Sequence, residues 1–331
     1  MNYYRKNFSH IYVEKAIKDH PETERILESF PHSTIVDIER YMDVFSPTYQ
    51  DFYSEKASQK IILARSVSTL LFPGAPVCQS FGNEHFYYCS GVMNCIYDCE
   101  YCYLQGMYPG ANMVIFVNLN DTFKEVEALL AKHPVYLCIS YDTDLLALEG
   151  ILGFVKKWIE FTKLHPSLTV ECRTKSAAFD LVEALDIPDN FIFAWTLSPD
   201  EVARKYEHRA PNLSSRLESI KRAQSKGLSI RLCFDPILHV TNYLLFYSAF
   251  FERVFSELDI NLITDVSIGT FRISKSYLSS MRKKRPCEIT TYPYESSGGY
   301  YSYSDAVNTW LLDMAEKEIS RYIPAEKIFR I

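Results

Sequence analysis

From about residue 84 the hydrophobic and polar positions settle into a repeat. Short runs rich in β-branched and aromatic residues alternate with longer amphipathic stretches. The runs are Phe86–Cys89, Met113–Asn118, Val135–Ser140, Leu168–Arg173, Phe191–Leu197, Leu228–Phe234 and Leu262–Ile268. Between them, residues 122–133, 145–164, 177–185, 215–225 and 243–258 carry the helical period. Asp121 suits the N-cap of the first of these helices. His165-Pro166 ends the second, and Gly227 closes the fourth. Such alternation predicts parallel βαβ units. Six of them could curl into a partial barrel, although periodicity alone does not separate that from a doubly wound open sheet.

The flanks read differently. Before the repeat, His10–Val13 and Ser33–Ile38 predict short strands, and 20–30 predicts a helix with Pro21 in its first turn. Lys60–Ser66 is a further apolar run, and 44–58 shows no period and reads as a loop. After the repeat come a basic cluster at 281–286, a stretch at 290–303 rich in Tyr, Ser and Gly that suits a loop or hairpin, and a closing helix over 306–323. The implied organisation is an N-terminal extension (1–80), a barrel (81–275) and a C-terminal hairpin region (276–331).

Composition narrows the function. With 331 residues, 47% of them hydrophobic, the chain can bury a large core. A net charge of −6 argues against a generally basic nucleic-acid binder and leaves room only for a local basic groove. No apolar run reaches the length of a membrane span, and the first eight residues lack the apolar core of a signal peptide. The nine cysteines are an odd number without a secretory signal, which implies reduced thiols and a cytoplasmic location.

Three of those thiols stand out. Cys95, Cys99 and Cys102 fall in C-x3-C-x2-C spacing within eight residues. A cubane iron–sulfur cluster is normally held by four thiolates. Three local ligands leave one iron open to chelate another molecule. A zinc knuckle is the competing reading, but zinc sites usually show a second C-x2-C half, and none is present. On the predicted scaffold other chemistry collects at the strand ends: Cys138 and Ser140, Arg173 and Lys175, Ser198, Asp235 with Pro236 and His239, and Arg272 with Lys275. Each alone is weak, since Cys138 suits a packed core and His239 a turn. Cys172 and Cys233 lie inside strands and read as core. Asp98 and Glu100, within the thiol motif, read as solvent-facing loop residues.

The thiol spacing, with an aromatic before the last cysteine, resembles the signature of the radical S-adenosylmethionine (SAM) superfamily. Beyond it, Cys102-Tyr-Leu-Gln105 resembles the spore photoproduct lyase family, as do further segments along most of the chain. Cys138-Ile-Ser140 resembles that family's C-T-S segment, Arg173-Thr-Lys175 its V-T-K segment, and Trp195-Thr-Leu-Ser198 its S-I-N segment. The resemblance implies an α/β fold: a partial (β/α)6 barrel with an N-terminal α/β extension and a C-terminal hairpin and helix. It implies a carbon–carbon lyase of DNA repair, active in spore germination, which returns the ultraviolet lesion 5-thyminyl-5,6-dihydrothymine to two thymines.

It also implies roles. Cys95, Cys99 and Cys102 would hold a [4Fe-4S] cluster whose open iron binds SAM. Ser140, Lys175 and Ser198 would contact SAM. Cys138 would donate hydrogen to the product radical, and Tyr101 and Tyr103 would help return hydrogen to SAM. Damaged double-stranded DNA would be gripped by Arg282, Lys283, Lys284, Arg285, Tyr300 and Tyr301. The partners implied are that DNA and an electron donor such as flavodoxin or ferredoxin, in the cytoplasm or the spore core. The alternatives are a radical SAM enzyme of the same fold acting on RNA or a peptide, and a zinc-binding module. Two departures stand out. After Ser140 the chain reads Tyr-Asp-Thr-Asp144 where the family has a direct S-D, which leaves Asp142 without an assigned role. The stretch 296–303 has tyrosines but no basic residues.

Overall fold

The computed structural model describes residues 8–47, 50–75 and 77–331. The first seven residues, part of the amino-terminal stretch read above, lie outside them.

The repeat forms one eight-stranded sheet. From one edge its strands are Leu71–Pro73, Phe86–Cys89, Val135–Cys138, Leu168–Thr174, Phe191–Thr196, Ile230–Ile237, Ile263–Thr270 and Ile328–Arg330. Only the first pair is antiparallel. The strands follow one another in chain order without reversal. Right-handed crossovers then carry the connections to one face, whereas a doubly wound sheet must reverse its order midway. The order therefore agrees with the expected partial (β/α)6 barrel and decides between the two alternatives. It also sets the C-terminal ends of the strands along a single rim, where βα folds place their chemistry.

One expected strand belongs elsewhere. Met113–Phe116 pairs in parallel with Ile61–Ala64 and completes a second sheet with His10–Glu14, Thr34–Ile38 and Val92–Met93. All four residues of Met113–Phe116 are buried. A run apolar on both faces suits any central strand, so the sequence does not say which sheet it joins.

The helices carry the other differences. Residues 44–58 are not simply a loop: they contain the second half of the helix Met42–Phe45 and all of Phe52–Ala57. Asp51 caps the second through Tyr53 N at 2.9 Å, and Phe45 and Phe52 anchor them in the core. One buried residue in the first helix and two in the second, one of them Lys56, leave no hydrophobic period to read. The helix expected from 122 begins at Leu119, preceded by Asn118. The expected long helix over 145–164 breaks at Gly153, which takes a left-handed φ of 60°. Its second half, Phe154–Lys163, is capped by Glu149, which accepts from Val155 N at 2.8 Å and Lys156 N at 3.1 Å. Residues 177–185 form only the 3-10 turn Phe179–Leu181, and an unexpected helix, Asp200–Tyr206, follows the next strand.

The C-terminal region is as expected in outline. A hairpin joins Glu295–Ser297 to Tyr300–Ser302 through Gly298 and Gly299, both at positive φ. The helix Asp305–Ile319 packs on the sheet, and the basic cluster ends the helix Lys275–Lys284.

Candidate active site

The thiol loop leaves the strand Phe86–Cys89 at the rim of the large sheet and is fastened on both sides. Val92–Met93 pairs with Met113–Phe116 in the small sheet. Asp98–Cys99 pairs with Glu207–His208, which follows the helix Asp200–Tyr206. Side chains hold the carbonyls between. Lys56 Nζ and Gln59 Nε2 donate to Cys95 O at 2.5 and 3.1 Å, and Gln105 Nε2 donates to Cys99 O at 2.5 Å. Asp98 and Glu100 are not free loop residues. Arg285 Nη1 donates to Asp98 at 2.7 Å, and Glu100 takes His208 at 2.8 Å with Arg285 Nη2 at 3.5 Å. The loop ends in the turn Leu104–Met107. A Cβ on Gly106 would collide with the Tyr277 backbone, so glycine is needed for that approach.

With the backbone pinned, Cys95, Cys99 and Cys102 turn to one wall of a cavity of about 620 Å3. Burial pushes all three thiols up, Cys95 to about 11. Lys175 pulls Cys99 and Cys102 the other way, and Lys56 does so at Cys95 and Cys102. The thiolate form therefore calls for more positive charge than the protein supplies, which a metal centre provides as it displaces the protons. Among the described residues no three acid, histidine or cysteine side chains converge on a single ion. A cluster makes a different demand, because each thiolate binds its own iron. The donor set fits one.

The wall facing the thiols is charged and orderly. Lys175 lies 5.3 Å from the Tyr101 ring centroid and 3.9 Å from Glu207 Oε1. Burial, the largest influence, disfavours its charge, but Glu207 together with the Cys99 and Cys102 thiols more than offsets it and the amine stays a cation. The Lys175 backbone N–H donates to Asp144 Oδ2 at 2.6 Å. Glu207 is fully enclosed and accepts from Tyr101 OH, from Ser198 Oγ at 2.9 Å and from Arg216. Burial alone would raise its carboxyl, yet Arg216 and Lys175 hold it down at about 2.

Of the residues singled out in the sequence, Cys138, Ser140, Lys175, Tyr101, Tyr103 and Tyr300 line the same cavity as the three thiols. Ser198 does not; it sits behind, committed to Glu207. Tyr101 and Tyr103 diverge: Tyr103 OH donates to Tyr141 O at 2.7 Å. Asp142 now has a place. It is buried beneath the loop and accepts from Ser90, from Tyr108 OH at 2.9 Å and from Tyr103 OH at 3.4 Å. Cys138 ends its strand with its thiol on the cavity wall, and burial, helped by Glu171, keeps the proton firmly on sulfur.

The basic cluster divides. Lys284 Nζ donates to Gln105 O and Tyr108 O at 3.0 and 2.5 Å, and Arg285 is buried against Asp98. These two cations hold the thiol loop. Arg282 donates to Thr290 O at 2.7 Å and lies 5.8 Å from the Tyr301 ring, with Lys275 on the same ring at 6.0 Å. Lys283 is exposed. His239 lies off the cavity, against Tyr292 at 3.2 Å.

Several residues of the site gave no sequence signal. Glu207 reads as one more acid beside a histidine, and Glu171 and Tyr141 as ordinary strand and loop residues. Only the sheet register brings them to the rim.

Fold and thiol loop together define a radical SAM protein of the α/β class. A family model described as Spore photoproduct lyase matches residues 81–296, well over half of the sequence. The chain belongs to the spore photoproduct lyase family, a family of enzymes. A curated spore photoproduct lyase of Clostridium acetobutylicum is 23% identical over 265 residues, covering 76% of this chain and 75% of that protein. A solved spore photoproduct lyase complexed with dinucleoside spore photoproduct has a TM-score of 0.82 at 17% identity, covering 98% of this chain and 99% of its own. A double mutant solved with bound AdoMet and the same dinucleoside has a TM-score of 0.82 at 18% identity, with the same coverage. At these identities the structures speak for the fold.

Proposed function

We propose that this protein is a DNA-repair lyase that returns the spore photoproduct to two thymines. The observation that carries the reading is the Cys138 thiol, protonated and buried on the wall of the cavity that the three loop thiols also line. Cys95, Cys99 and Cys102 would hold the [4Fe-4S] cluster, and Lys175 and Ser140, on the same cavity, would contact SAM. When bound, cluster and SAM supply a 5′-deoxyadenosyl radical able to take hydrogen from C6 of the dimer. The residues of the chain do the rest. Cys138 gives its S–H hydrogen to the thymine radical left after the crosslink breaks, which forms a C–H bond and leaves sulfur with the unpaired electron. Tyr103, held between Tyr141 and Asp142, is less buried than Tyr101, whose hydroxyl is committed to Glu207, and is the better suited of the pair to return hydrogen. Ser198 supports Glu207, and through it Lys175, rather than touching SAM.

Damaged double-stranded DNA approaches along the C-terminal hairpin, with Arg282, Lys283, Tyr300 and Tyr301 on the contact side and Lys284 and Arg285 behind. The lesion leaves the stack to reach the cavity, at a cost of a few kcal/mol that a distorted dimer lowers. An electron carrier such as flavodoxin or ferredoxin supplies the reducing electron. Among the described residues no helix is long and apolar enough to cross a membrane, and we place the enzyme in the cytoplasm, in the spore core of a sporulating host. The test is anaerobic repair of a dinucleotide photoproduct. Wild type yields thymines, while Cys138→Ala still cleaves SAM but gives aberrant thymine products. A reconstituted wild-type protein that leaves the dinucleotide untouched refutes the lyase reading.

A further inference from the structure

Arg173 is a cavity residue with unused hydrogen-bonding capacity. It stands where the resembling family segment reads valine. Its strand, Leu168–Thr174, pairs with the strand of Cys138 so that Glu171 lies directly opposite Cys138. Arg173 follows two residues on, so it projects from the same face, one step nearer the rim. Both line the cavity. Arg173 Nε donates to Glu171 Oε1 at 3.0 Å. Its Nη1 comes only to 3.9 Å from Asp235 Oδ2. Among the described residues neither Nη group makes a hydrogen bond, and the side chain is a quarter exposed, toward the cavity. A guanidinium carries five N–H donors in a fixed plane. Four of them are left for whatever fills the space beside the thiol.

Charge balance says what that is. Glu171 already has Arg231 at 2.6 Å, and Asp235 already has Arg272 at 3.2 Å. Arg231 is also paired with Asp265. Arg173, Arg231 and Arg272 thus face Glu171, Asp235 and Asp265, three cations against three anions. Such a group exerts little net pull on a phosphate. Its open donor edge suits a neutral, in-plane acceptor, and a pyrimidine ring offers carbonyl oxygens of that kind. We propose that Arg173 is a substrate-positioning residue that donates to a carbonyl oxygen of a lesion pyrimidine and so sets the ring against Cys138. The assignment rests on the lyase reading above.

The experiment measures binding and anaerobic repair of the dinucleotide photoproduct, and of analogues in which each pyrimidine carbonyl in turn is a thiocarbonyl, a poor acceptor. Wild type should lose about tenfold or more in affinity on one replacement. Arg173→Val should lose a similar factor on the natural lesion, become indifferent to the replacement, and bind SAM within about twofold of wild type. Arg173→Lys keeps the charge without the fork and should fall between. Equal affinity of Arg173→Val and wild type for the lesion overturns the proposal, as does a variant that loses SAM binding instead. If neither variant folds, the wild-type series decides alone: indifference to every thiocarbonyl overturns it. A wild type that does not bind the dinucleotide at all sinks the lyase reading, and this proposal with it.

Discussion

Glu207→Gln probes the enclosed charge group behind the thiols. Glu207 and Arg216 are 3% and 1% exposed. Glu207 Oε1 accepts Tyr101 and Ser198, and Oε2 accepts Arg216. A glutamine of the same shape can turn its NH2 to the Tyr101 and Ser198 hydroxyls, which can accept from it, so what the substitution removes is the negative charge facing Arg216. Arg216 then has only neutral acceptors, among them the carbonyls of Pro211 and Thr196 at 2.8 and 3.1 Å, and no anion. Breaking one side of a buried pair costs about 3–5 kcal/mol. The depressed carboxyl gives an independent figure. Its ordinary value is 4.5 and its folded value about 2, which corresponds to about 3 kcal/mol at neutral pH. In urea titrations of the apoprotein at pH 7, Glu207→Gln should therefore lose at least about 3 kcal/mol. Adding Arg216→Met should recover a large part of it, since the stranded charge is then gone. A single variant within about 1 kcal/mol of wild type, or a double variant no better than the single, refutes the idea that this pair is held by mutual charge.

Other predictions follow the same logic. Burial lifts the Glu149 carboxyl to about 7 against its two backbone hydrogen bonds. Because the folded value lies above the ordinary 4.5, its contribution is fully present at acid pH and is lost as pH rises to about 7, by about 3 kcal/mol. Urea midpoints between pH 4.5 and 8 should show that fall, and Glu149→Gln should flatten it. Lys284→Ala should destabilise the protein by about 2 kcal/mol through the two carbonyls it leaves, with no change in the salt dependence of DNA binding. Lys283→Ala should do the reverse, leaving the melting point alone and lowering the log–log salt slope by about one.

Most strands and the long C-terminal helices were legible because each repeats a buried face often enough to show a period. The elements that escaped, Met42–Phe45, Phe52–Ala57 and Asp200–Tyr206, are short helices with only one to three buried residues each. Gly153 divides one helical pattern because a left-handed residue leaves the hydrophobic spacing intact while breaking the backbone. The three thiols were legible through spacing, but the site's ion pairs were not. Glu171 and Arg231 lie 60 residues apart, and Asp98 and Arg285 are separated by 187. Only strand order brings such partners together. The basic run 282–285 shows the same limit: charge density is visible in a sequence, whereas the partners of Lys284 and Arg285 are not.

Placing Met113–Phe116 in the small sheet has a consequence for how the chain is made. That sheet lacks nothing once residue 116 has been synthesised, because its strands all lie between residues 10 and 116. At that stage the large sheet has only its antiparallel edge pair. Chains fold from the N-terminal end as they emerge. The cysteine loop, bounded by Val92–Met93 and Met113–Phe116, is thus secured as a ribosome-stage hairpin while its thiols still face solvent. The other side of the loop is fastened later, when Glu207–His208 arrives to pair with Asp98–Cys99.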